Sequence, residues 1–190
     1  MSSSTGSESG ARGRTRRAIL SAAAGTLSRD RNARLADIAA AADVGRSTLQ
    51  RYFPDREALV AAVVEDSLRL LDEALRKARI DQGPARESMR RLVAAMLDVG
   101  DQVLFLYGDP RISQALAGRG EPDPAAEAVA ALIARGQTEG DFDAEVDGAW
   151  IEHVLWAHVC AGCQAVSTGT LPHHGAFTSV IRTLEHGIRP

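Results

Sequence analysis

An all-α protein is what this sequence predicts, on three observations: alanine recurs throughout, apolar residues return at helical spacing, and the Val/Ile/Thr/Tyr runs that strands favour are missing. Hydrophobic residues make up 45% of the chain but aromatic ones only 4%, a balance typical of helix packing. At 190 residues the chain can bury a substantial core, as one large domain or as a small domain joined to a larger one.

The elements follow from apolar periodicity and its interruptions. Met1 to Gly10 is Ser/Gly-rich, too polar to order itself, and residues 1–11 read as a flexible tail. A helix over about 14–28 places Ile19, Leu20, Ala23, Ala24 and Leu27 on one face, preceded by Arg12, Arg14, Arg16 and Arg17. After the polar break at 29–34, a short helix over about 35–42 turns Leu35, Ile38, Ala39 and Ala42 inward, with Asp37 suiting the dipole of its first turn. Asp43, Val44 and Gly45 make a turn, and a further short helix over 46–53 is closed by Pro54. Asp55 caps a long helix running to about Ile80. Beyond Gly83-Pro84 a long helix is expected over about 85–106, then shorter ones at 111–118 and 124–138, and two last helices at about 144–168 and 175–188, giving about nine in all.

Charge is unevenly spread. Residues 1–60 hold 10 arginines against six acidic residues, a balance of +4, while residues 61–190 carry 12 basic and 19 acidic residues, a balance of −7. A basic head on an acidic body suits phosphate neutralisation by one small module. The longest apolar stretch, around Val154 to Val166, is too short to span a bilayer, so no membrane partner is expected. Two cysteines cannot build a disulfide framework, and the polar N-terminus does not resemble a signal peptide, so a cytoplasmic location is expected.

Leu35 to Phe53 fits a helix-turn-helix, in which small and apolar residues fix two short helices so that the second can enter a major groove. Ala39 is small where the helices meet, Val44 fills the turn, and Leu49 and Phe53 pin the second helix to the core. Arg46, Ser47, Gln50 and Arg51 are left pointing outward, with donors and acceptors suited to base edges and phosphates.

At these residues the chain resembles the TetR family. Ile38-Ala39, then the run from Ala42-Asp43-Val44-Gly45-Arg46 through Phe53-Pro54-Asp55-Arg56-Glu57-Ala58-Leu59, looks like that family's signature, in particular the branch reading Gly-Arg, Thr-Leu, Arg-His/Tyr-Phe-Pro. The likeness covers about residues 14–64. It implies a helix-turn-helix DNA-binding domain over 12–60, followed by a ligand-binding and dimerisation domain over 61–190. It further implies Arg46, Ser47 and Gln50 as base readers, and Arg34, Thr48, Arg51, Tyr52 and Arg56 as phosphate clamps. Three departures bear on the operator: Gln50 stands where the family usually has Tyr, Arg34 where a capping Thr or Ser is usual, and the first inter-helix connection is short. The implied partners are a double-stranded operator, a second copy of the chain bound through the last two helices, and a small-molecule ligand; no cofactor or metal is implied.

In the second domain, Trp150, His153, Ala157, Cys160 and Gln164 share one helical face. That face suits either a pocket wall or a packing surface. Met96, Phe105, Trp150 and His153 are the expected ligand contacts. The Cys-x-x-Cys of Cys160 and Cys163, with His153, leaves a second class of function open, a helical metal or thiol-redox sensor. No nucleophile elbow, phosphate loop or His-x-x-x-His site points to an enzyme.

Overall fold

A computed structural model describes residues 5–108, 111–112, 114 and 124–187, with side chains from residue 10 onward. Among the described residues there are nine helices and no strand: α1 (Thr5–Arg29), α2 (Leu35–Ala41), α3 (Arg46–Tyr52), α4 (Arg56–Ala78), α5 (Ala85–Asp98), α6 (Gly100–Tyr107), α7 (Pro124–Glu139), α8 (Gly148–Ser167) and α9 (His173–Gly187). The short helix expected at 111–118 falls largely outside the described residues. No described helix is long and apolar enough to cross a membrane. The chain forms two compact units that divide between Leu68 and Arg69, inside α4, whereas the expected boundary lay at residue 60.

In the first unit, α1 packs on α2 and α2 on α3. Its core is the apolar set the periodicity selects: Ile19, Leu20, Ala23, Leu27, Ile38, Ala39, Leu49, Phe53, Leu59 and Val63 are each no more than 3% exposed. Helix α1 starts at Thr5, so residues 5–11 are helical where a flexible tail is expected. Once the buried turns around Ile19 have nucleated a helix, each further residue adds a hydrogen bond for one pair of dihedrals. The Asp55 carboxylate accepts the Ala58 N–H at 2.8 Å, capping α4 as its sequence suggests.

In the second unit, α5 is the central helix and packs on α6, α7, α8 and α9. Leu92 and Val93 on α5 are fully buried. The helix expected over 85–106 is two helices, broken at Val99, whose φ of −109° and ψ of 33° end the α-helical path. Gly100 follows because a Cβ there would lie 3.3 Å from the Cys163 sulfur of α8. Carbonyls left open at the end of α4 and in the turn that follows it are taken up by side chains. Arg91 donates to the carbonyls of Ala78 at 2.8 Å and Arg79 at 3.0 Å, and Arg135 to those of Asp81 at 2.8 Å and Ile80 at 2.9 Å. Both guanidiniums also donate to the Ser88 hydroxyl, which itself donates to the Gln82 carbonyl at 2.9 Å, so this buried Ser is fully satisfied.

Two substitutions of opposite sign test this packing. A Cβ at Gly136 would sit 2.2 Å from the ring of Phe142, itself 2% exposed, so Gly136→Ala is expected to destabilise by about 1–3 kcal/mol in urea unfolding. Asp43 holds a left-handed φ of 52° in the turn between α2 and α3. Asp43→Gly relieves that strain and, after glycine's greater unfolded freedom is counted, is expected to stabilise by no more than about 1 kcal/mol.

Candidate nucleic-acid interface

Helix α3 has seven residues, too few to be stable alone, and its tertiary anchors decide which way its side chains point. Leu49 is fully buried and Phe53 is 3% exposed. One turn of helix therefore faces the core, and Arg46, Ser47, Gln50 and Arg51 are all exposed on the opposite side, while Thr48 is half-buried. The backbone on either side is held as firmly. Gly45 accepts the Leu49 N–H at 3.0 Å and Leu49 the Phe53 N–H at 2.9 Å, so the short helix closes at both ends.

The three other residues of the expected interface have more particular surroundings. Arg34 stands at the N-cap of α2 with its side chain exposed; its backbone N–H donates to Asp37 at 2.9 Å and its Nε at 3.4 Å. That backbone N–H, and then the guanidinium, hold the Asp37 carboxyl below its ordinary value. Tyr52 is half-buried and donates its hydroxyl to the Arg12 carbonyl at 3.3 Å. The guanidinium of Arg51 lies 5.9 Å from the centre of the same ring. Arg56 is turned toward the connection between α1 and α2, where its two terminal nitrogens donate to the carbonyls of Ala33 and Arg31. It ties that short connection to the start of α4, a task for which the sequence carries no sign because the acceptors are backbone atoms.

The expected ligand contacts do not come together. Met96 and Phe105 are core residues, each 1% exposed, whereas Trp150 is 60% exposed and stacks on the exposed His153 at 5.9 Å between ring centres. The face of α8 that carries Trp150, His153, Ala157 and Gln164 is open within this chain, and Cys160 is half-buried at its edge. Open volume lies elsewhere in the second unit, in a cleft of about 530 Å3 between the second half of α4 and α5. Small residues line it, Ala74, Ala78, Ala94 and Ala95, with Glu73, Lys77, Arg91 and Asp98 at its rim. Lys77 is paired with Glu73 at 2.8 Å, and Asp98 with His173 at 3.2 Å. Sequence reasoning passed over these residues because an alanine pair on each of two helices reads as ordinary close packing.

Both thiols are disfavoured as thiolates by their surroundings. Burial raises the Cys160 thiol above its ordinary value and pushes Cys163 up to about 12. Among the described residues no group of three His, Cys, Asp or Glu side chains is placed to hold a metal ion.

Known proteins match this arrangement. The family model described as bacterial regulatory proteins, tetR family, matches residues 19–63, from the buried face of α1 to the start of α4. The HTH-type transcriptional repressor LfrR of Mycolicibacterium smegmatis is 40% identical over 187 residues, covering 95% of this chain and 94% of that protein. The crystal structure of LfrR in complex with proflavine superposes with a TM-score of 0.74 at 37% identity, covering 95% of this chain and 99% of that one. PfmR from Thermus thermophilus, 21% identical with a TM-score of 0.62 over 88% of this chain and 94% of its own, shares the fold. With a helix-turn-helix built on Leu49 and Phe53 and a relative of 40% identity along nearly its whole length, the chain belongs to the TetR family of bacterial transcriptional regulators.

Proposed function

We propose that this chain is a homodimeric transcriptional repressor that reads a near-palindromic operator with α3 and is released by a small molecule. The observation that carries the reading is the exposed quartet Arg46, Ser47, Gln50 and Arg51, opposite the buried Leu49 and Phe53. Arg46, Ser47 and Gln50 read bases, the amide of Gln50 pairing with adenine where a Tyr would meet a phosphate or thymine methyl. Arg34, Thr48, Arg51 and Tyr52 serve the backbone. Arg56 contributes indirectly, through the connection it holds.

The dimer forms through α8 and α9. In support, Trp150 is one of two large hydrophobic side chains exposed among the described residues, and Ala157 and Ala161 on the same open side permit close helix approach. The relative LfrR is a repressor and has been crystallised with proflavine; the alanine-lined cleft beside α4 is a volume among the described residues that suits a flat ligand. The protein works on chromosomal DNA in the cytoplasm.

A gel shift on the duplex upstream of the chain's own coding sequence is expected to show specific binding; no retarded species there, or on any duplex selected from a random pool at moderate salt, would refute the assignment. On the selected duplex, Gln50→Ala is expected to relax preference at one base pair, and Arg51→Ala to weaken all sequences alike. Sedimentation is expected to give a dimer that Ala161→Glu converts to a folded monomer. A charged variant that stays dimeric would move the interface off α8.

A further inference from the structure

Helix α1 extends well beyond its own core. From Gly10 to Ala18 no residue is buried, and the first buried side chain is that of Ile19. Those exposed turns carry Arg12, Arg14, Arg16 and Arg17, and they rest on the C-terminal end of α3. The Arg12 guanidinium lies 5.9 Å from the centre of the Tyr52 ring and that of Arg16 5.6 Å from the centre of Phe53. Arg51 approaches the Tyr52 ring at the same 5.9 Å as Arg12. None of these three arginines pairs with a carboxylate among the described residues.

Three exposed guanidiniums gather around two neighbouring rings at the end of α3, a local concentration of positive charge. Such a cluster attracts an anion, and the planar fork of Arg is shaped for phosphate oxygens. Their position at the end of α3 selects the source of that phosphate. We propose that Arg12 and Arg16 of α1, with Arg51 of α3, form a clamp on the DNA backbone beside the bases that α3 reads, so that α1 is part of the interface. The proposal rests on the reading of α3 as the DNA-reading helix and adds to it a contact that carries no base preference. Arg14, on the far side of α1 from Arg12, is not needed for it.

The test is the salt dependence of binding, followed by fluorescence anisotropy on two duplexes, one selected from a random pool and one scrambled. Arg12→Gln/Arg16→Gln keeps a polar, unbranched side chain of similar helix propensity while removing both charges. Its log K against log salt is expected to be flatter than the wild type's by about one to two units, with the same factor lost on both duplexes. Arg12→Lys/Arg16→Lys is expected to recover most of the slope, and Arg69→Ala/Arg76→Ala, which removes equal charge from exposed positions of the second unit, to leave it unchanged. A wild-type slope in the Gln variant, a loss confined to the selected duplex, or an equal flattening in the Arg69/Arg76 control would each overturn the clamp. An unchanged slope while Gln50→Ala still alters base preference would remove the clamp and leave the reading of α3 standing; a wild-type protein that binds neither duplex would remove both.

Discussion

Everything exposed on α3 depends on the burial of Leu49 and Phe53. A seven-residue helix does not persist in water by its own hydrogen bonds, and these two side chains, fully or nearly fully removed from solvent, supply the tertiary hold that makes it a helix. They also set its rotation. With residues 49 and 53 inward, 46, 47, 50 and 51 face solvent, so the chemistry presented to a partner follows from the packing beneath it. Arg56 serves the same end from below, by closing the carbonyls of the short α1–α2 connection that would otherwise be left open.

The second unit solves a comparable problem at the end of α4. The end of α4 and the turn after it leave carbonyls unpaired, and here Arg91 reaches those of Ala78 and Arg79 from α5 and Arg135 those of Ile80 and Asp81 from α7, with Ser88 accepting from both. Charged side chains are thereby spent on backbone acceptors, which makes the chain's turn at residues 79–83 a fixed point of this unit. The cleft beside it, between α4 and α5, is bounded by alanines on both helices. Small side chains there leave room that larger ones would fill.

Much of this was legible in the sequence. The apolar periodicity located the helices and the first unit's core because one-sided burial writes itself into spacing, and Asp55 and Pro54 marked the ends of α4 and α3 through local backbone chemistry. The break between α5 and α6 was not legible, since nothing in a continuous apolar pattern reveals that Cys163 of a distant helix needs Gly100 to be small. The inward turn of Arg56 was hidden for the same reason: its partners are carbonyls, which every residue carries. Trp150 and His153 stand beside Met96 and Phe105 among the expected ligand contacts because periodicity reports a face but not what covers it; the structure has the first pair exposed and the second in the core.

On the proposed function, a face set by two buried side chains reads DNA as one half of a symmetric pair. Hydroxyl-radical footprinting of a selected operator tests this most directly. Two protected regions related by a two-fold axis, with their centres about one helical turn apart or a multiple of it, are what the account predicts. A single unsymmetric footprint, or uniform protection without a boundary, would contradict it.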